Sequence, residues 1–278
     1  MKMRNTLILF IILVALGSYV YFVEIKHHEK VEQAKQESKQ LFNLEKDSVE
    51  TLMLQNSKGT FTIKKIQNEW RIIDPVYTEA DETTINSMLT SLLDAQKETE
   101  FSLDEGDLTN YGLSDRAMYI RVNTFSGEQD SIWIGEKTPV GSFVFSFKND
   151  SLVYTINQSV KTNFDKTLFD IRDKNLLHFN RDDVRRIVLK RPGQKIEFDK
   201  SGPSDWQILN INRPADNGKI SGLLSKLSNN KAKAFVDEEG ENLAKFGLQN
   251  PGYEVQLMLG QEQGQKEFRV SRKISGKY

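Results

Sequence analysis

The apolar positions follow three different patterns along the chain. Residues 6–23, TLILFIILVALGSYVYFV, are uncharged and have no polar face. That pattern predicts a transmembrane helix close to the shortest length able to cross ~30 Å of hydrocarbon. Lys2 and Arg4 precede it, Tyr19, Tyr21 and Phe22 cluster at its far end, and charges resume at Glu24, Lys26, Glu29 and Lys30. Basic residues on the short side keep that side in the cytoplasm, so the remainder is expected to be exported. Ala15 and Gly17 offer the small residues of a cleavage site. The apolar run continues past them to Val23, which favours an uncleaved anchor. Residues 24–40 are dense in Glu, Lys and Gln without Gly or Pro, as expected of an exposed helix lifting the following domain off the membrane. Apolar positions there are too sparse for a coiled coil, so oligomeric state stays open.

From Leu41 the pattern changes to short alternating strands and one helical stripe, and it occurs twice, offset by about 135 residues. VETLMLQ, TFTIKKI and Glu69-Trp70-Arg71-Ile72-Ile73 match VRRIVLK, QKIEFDK and Asp205-Trp206-Gln207-Ile208-Leu209. Ala80-Asp81, then Ile85, Met88, Leu89, Leu92 and Leu93, matches Ala215-Asp216, then Ile220, Leu223, Leu224 and Leu227. The Asp residues occupy N-cap positions, and the spacing places one apolar stripe on each helix. Tyr111-Gly112-Leu113 matches Phe246-Gly247-Leu248, each before a new strand, and the glycines suit a turn with positive φ. QDSIWIG, GSFVFSF and SLVYTI read as further strands, with Gly135, Gly141 and KTPV as a turn, and Asn157 to Phe169 as a linking helix. The second repeat stops at Tyr278, level with the middle of IWIGEKTPVGSFVF, so a truncated copy is expected.

These patterns give an α+β fold: an N-terminal transmembrane helix, then two tandem similar domains, each an antiparallel sheet packed with one or two helices, the second copy incomplete. The divisions are 1–23 (cytoplasmic N-terminus and anchor), 24–40 (charged linker), 41–176 (first repeat) and 177–278 (second repeat).

Composition removes several chemistries. With Lys+Arg 38 and Asp+Glu 39, the balanced charge gives no reason to seek nucleic acid. The absence of cysteine excludes disulfides, thiolate nucleophiles, zinc thiolate sites and a lipoprotein anchor, and leans towards a bacterial envelope protein. His27 and His28 read as an exposed juxtamembrane pair, and His178, between Leu177 and Phe179, as structural. Asp104-Glu105-Gly106-Asp107 and Asp237-Glu238-Glu239 lack the alternating carboxylates of a calcium loop and read as solvated loops. The sequons at Asn149 and Asn157 matter only in a eukaryotic secretory pathway. GxSxG, P-loop, GxGxxG and HExxH motifs are missing. No catalytic, cofactor-binding or metal-binding residue is assigned, and no cofactor is expected.

The anchor, the W-[RQ]-I-[IL] strand ending, the Ala-Asp helix start, the [YF]-G-L tripeptide and the IGEKTPVGSFVF hairpin together resemble the DUF4340 family over most of Leu41 to Tyr278. The resemblance implies a bacterial envelope protein that is an accessory component of ABC transport systems, including the gliding-motility-associated kind, with permease and ATPase subunits as partners. Its motifs are structural and bring no catalytic residues. The expectation is therefore a non-enzymatic accessory protein. It would be held in the bacterial inner membrane by residues 6–23, N-terminus in, with both repeats periplasmic. Two alternatives are an anchored module for glycan or peptidoglycan fragments, using Tyr77, Tyr111 and Phe246, and a carboxylate-based hydrolase. The three aromatics are expected in the core rather than in a groove.

Overall fold

The computed structural model describes residues 3–19, 21, 38–102, 108–114, 117–148, 152–260 and 264–272. The linker from 24 to 37, the first acidic loop, Asn149 and both juxtamembrane histidines lie outside these residues. The chain divides into two compact units, Met1–Asp173 and Lys174–Tyr278.

Helix α1, Met3–Tyr19, has 17 residues and a length of ~25 Å at 1.5 Å per residue. It starts and ends before the predicted span over 6–23. Among the described residues no helix is long and apolar enough to cross a membrane, so the structure does not show the expected transmembrane helix.

The first unit is an antiparallel sheet built from β1 (Val49–Asn56), β2 (Gly59–Ile66), β3 (Glu69–Asp74), β4 (Thr78–Glu79), β5 (Thr99–Ser102), β6 (Met118–Thr124), β7 (Gln129–Lys137), β8 (Phe143–Phe147) and β9 (Leu152–Asn157). Their order is β4-β3-β2-β1-β6-β7-β8-β9-β5. One face packs on α2 (Glu82–Leu93), which buries Ile85, Met88, Leu89, Leu92 and Leu93, the stripe that its periodicity predicts. The strands supply Leu52, Leu54, Ile63, Ile72, Ile120, Val122, Ile132 and Ile134 to the same core. Strict alternation in β6, from Met118 to Thr124, buries every second residue and leaves Tyr119, Arg121 and Asn123 on the opposite face.

The predicted linking helix, Asn157 to Phe169, is broken. Asn157 ends β9 and caps α3 (Gln158–Phe164), accepting from the Ser159 N–H, while α4 is only Leu168–Ile171. Thr167 and Asp170 form a capping box there. The backbone and hydroxyl donors of Thr167 hold the Asp170 carboxyl below its usual range. The chain then runs along β4: the Asp81 N–H donates to the Ile171 carbonyl at 2.8 Å, and the Asp173 N–H to the Glu79 carbonyl at 2.9 Å.

The second unit has β10 (Val184–Arg191), β11 (Gln194–Lys200), β12 (Trp206–Ile208), β13 (Arg213–Pro214), β14 (Tyr253–Leu259) and β15 (Gln265–Val270), with α5 (Asn217–Asn229) on one face. Sheet order is β13-β12-β11-β10-β14-β15, matching β4-β3-β2-β1-β6-β7. The duplication extends to irregular features. Both first strands carry a register shift at the same place, between Val49 and Thr51 and between Val184 and Arg186. The Ala80 N–H donates to the Trp70 carbonyl, as Ala215 does to Trp206, and Lys97 to Lys39, as Ala232 does to Lys174. Gly112 and Gly247 have φ of 67° and 68°. Trp70 and Trp206 are buried, at 5% and 6% exposure.

Asp81 and Asp216 accept from the N–H groups of Thr84 at 2.9 Å and Lys219 at 3.1 Å. Substituting either by alanine should cost about 1 kcal/mol of unit stability. Urea unfolding of Asp81→Ala and Asp216→Ala against wild type measures this, and an unchanged midpoint in both would remove the caps from the list of stabilising contacts.

A candidate binding face on the first sheet

The face of the first sheet turned away from α2 carries side chains that the core does not use. Strand pairing fixes their rows. Tyr119 lies opposite Gln55 on β1 and Trp133 on β7; Trp133 lies opposite Phe147, Phe147 opposite Val153, and Val153 opposite Phe101. This gives a mostly aromatic row across six strands. The Tyr119 and Trp133 ring centroids are 4.4 Å apart at 38°, a close tilted contact at the short limit of aromatic pairs. Both residues are half-buried.

The next row is Met53, Arg121, Ser131, and the one after it Thr51, Asn123, Gln129. Arg121 is half-buried, and its Nη2 donates to the Met53 Sδ at 3.2 Å. Among the described residues it has no carboxylate partner. The Asn123 Oδ1 is buried without a hydrogen-bond partner, a condition that normally costs free energy unless a donor arrives.

Part of this face is covered from within the unit. Tyr111-Gly112-Leu113 seats against β7, where a Cβ on Gly135 would run into the Tyr111 carbonyl oxygen. Gly135 therefore belongs to β7, not to the predicted turn, and it is glycine because backbone approaches it. The Tyr111 ring meets Phe145 edge-on at 4.9 Å, and Phe101 meets Phe145 at 6.3 Å. Phe143, Phe145 and Phe147 share one face of β8, and that face is the outer one.

The second unit is the internal control. Position by position, Lys190, Glu254 and Arg269 replace Gln55, Tyr119 and Trp133. Its cations are paired: Arg186 with Asp199 at 3.0 Å, Lys190 with Glu254 at 2.7 Å, and Arg269 with Glu254 at 3.9 Å. The strands equivalent to β1, β6 and β7 therefore pair with ion pairs on their outer face, without the Tyr119–Trp133 contact of the first unit.

The other residues singled out in the sequence do not converge. Tyr77 is 68% exposed under Arg71, whose guanidinium lies 6.0 Å from the ring centroid. Phe246 is half-buried beside Lys245, and Tyr111 is half-buried on Phe145. The expectation of core positions thus fails for Tyr77 and holds only in part for the other two. His178 is exposed, between Leu177 and Phe179, which pack on the second core. Asp237, Glu238 and Glu239 are exposed on a loop. A cleft of about 470 Å³ is lined by Gln40, Glu45, Lys46, Thr90 and Asp94, and one of about 450 Å³ by Arg181, Asp182, Lys200, Trp206 and Asn217.

The family pattern described as "Domain of unknown function (DUF4340)" matches residues 70–213 and 206–277. The chain belongs to the DUF4340 family. The two matches begin at Trp70 and Trp206, equivalent positions of the repeats. Neither the curated proteins nor the solved structures contain a match to this DUF4340 chain.

Proposed function

We propose that this DUF4340 protein is a non-enzymatic accessory protein, anchored in the bacterial inner membrane by residues 6–23, that presents its two sheet units outside the cytoplasm to an ABC-type transport system. The observation that carries the anchor is the surface of α1. Phe10, Ile11, Ile12, Leu13 and Val14 are each 50% exposed or more. Five consecutive residues at 100° per residue cover every side of a helix, so it is apolar all round, and such a helix needs an apolar environment. The apolar run continues beyond α1 to Val23, which supplies length towards the hydrocarbon thickness. Lys2 and Arg4 support the N-terminus-in orientation. The transporter is inferred from the resemblance that the sequence motifs carry. The hydrolase reading gains nothing from Asp237, Glu238 and Glu239, which are splayed on a loop.

The test is affinity purification of the intact protein from mild-detergent membranes, with mass spectrometry of what accompanies it. Stoichiometric ABC permease and ATPase subunits are the expected result. Their absence, with the bait folded and membrane-bound, would overturn the transporter assignment.

A further inference from the structure

We infer that the outer face of the first sheet, centred on Tyr119, Arg121, Asn123 and Trp133, is a binding site for a carboxylate-bearing saccharide. Four observations converge on this ligand chemistry. The half-buried Tyr119–Trp133 pair offers ring surface to the C–H face of a sugar. Arg121, two residues from Tyr119 on the same face, is a cation without a carboxylate among the described residues, and a guanidinium is suited to receive a carboxylate through paired N–H donors. The Asn123 Oδ1 is buried without a partner, and a rotation of this half-buried side chain towards the face brings it to a sugar hydroxyl. The surrounding positions on β1, β2 and β7 include Thr51, Gln55, Thr62, Gln129 and Ser131, uncharged groups that match many hydroxyls, and Lys64 opposite Thr51, which is paired with Glu50 at 3.3 Å.

The balance of charge selects among occupants. An acidic polypeptide would favour several free cations, but Lys64 beside Thr51 is held by Glu50 and Arg71 beside Lys64 by Glu69. This leaves Arg121, among the described residues of these rows, as the cation without a carboxylate, set among neutral amides and hydroxyls. A saccharide with a spaced carboxylate fits that ratio. At the same positions the second unit holds Glu254 and Arg269 in a network of ion pairs, so the pairing of these two strands does not by itself call for aromatics there. The site stands independently of the anchor and of the transporter, so failure of either leaves it unaffected.

The probe is a short oligogalacturonate, titrated into full-length protein in mild detergent and followed by calorimetry and tryptophan fluorescence. Of the three tryptophans, Trp70 and Trp206 are buried and Trp133 is half-buried, so the emission change should arise at Trp133. Saturable binding is expected. Tyr119→Glu combined with Trp133→Arg installs the pair that the second unit tolerates and should weaken binding more than about tenfold, ~1.4 kcal/mol. Arg121→Gln should weaken oligogalacturonate about tenfold while leaving any weaker affinity for a neutral cello-oligosaccharide unchanged. Circular dichroism and hydrogen exchange in β1 and β6 establish that each variant is folded. Three results would overturn the assignment: no binding to folded wild type, binding that survives the double substitution, or polyglutamate binding this face as tightly as oligogalacturonate.

Discussion

Trp70→Ala should destabilise the first unit by about 3–5 kcal/mol, the range for deleting a buried aromatic side chain. Trp70 is 5% exposed on β3 and belongs to the core that unites the sheet with α2. Its main-chain carbonyl keeps the bond from the Ala80 N–H at 3.0 Å, so truncation removes packing and leaves the β3–α2 connection hydrogen-bonded. Global stabilities of small domains are 5–15 kcal/mol, and a loss of this size takes a large fraction of the margin. Hydrogen exchange read by peptide resolves the effect by unit: protection should fall in β1, β2 and β6 and persist in β10 and β14. Trp206→Ala should reverse the pattern. The buried core around Trp206 is smaller among the described residues, so the same truncation should bring the second unit closer to unfolding. Equal loss in both units from either substitution would contradict two separately packed cores.

The sequence reveals much of this fold because the features that define it are periodic and local. Alternation in MYIRVNT and YEVQLML leaves one choice of buried face. A helix stripe at Ile85, Met88, Leu89 and Leu92 has one side to bury. Asp81 and Asp216 announce helix starts because their side chains bond the third N–H onward. What escaped notice depends on tertiary context. The linking helix breaks after Phe164, where the Asn56 side chain takes the Phe164 and Lys166 carbonyls at 3.0 and 2.9 Å. Asn56 is more than a hundred residues away in sequence. Gly135 reads as a turn residue until the Tyr111 carbonyl is seen against it. β5 leaves no signal in the sequence because TEFS is short and exposed, with no alternation of burial.

The candidate site escaped for a related reason. Tyr119, Arg121 and Trp133 occupy the polar-out phase of their strands, where a period-2 pattern expects solvated residues. Two aromatics at that phase were a detectable signal, but pairing them needs the register between β6 and β7, which sequence does not supply. The repeat could have sharpened it: aligning Tyr119 with Glu254, and Trp133 with Arg269, shows that the two copies agree in the core and differ on the outer face. Selection for folding acts alike on both copies. Aromatics on the outer face of one copy, where the other has ion pairs, therefore mark a property that the shared strands do not require of both units.

Lysine at both Ile12 and Leu13 should release the protein from the membrane. Each lysine near the centre of a spanning helix costs about 2.5–3.5 kcal/mol on insertion scales, so the pair costs about 5–7 kcal/mol. Both side chains are more than half exposed on α1, and the buried core of the first unit begins only at Leu41. The substitutions should therefore act on the anchor and leave the folded units intact. Membrane fractionation with alkaline carbonate extraction reads the outcome, and Ile12→Leu with Leu13→Ile is the matched apolar control. The control should stay in the pellet, and the double lysine variant should appear in the supernatant with the hydrogen-exchange pattern of both sheets preserved. A wild-type protein that extracts freely, or a double lysine variant that remains in the pellet, would remove residues 6–23 as the anchor. Release accompanied by lost protection in β1 and β6 would place α1 within the folded unit instead of in lipid.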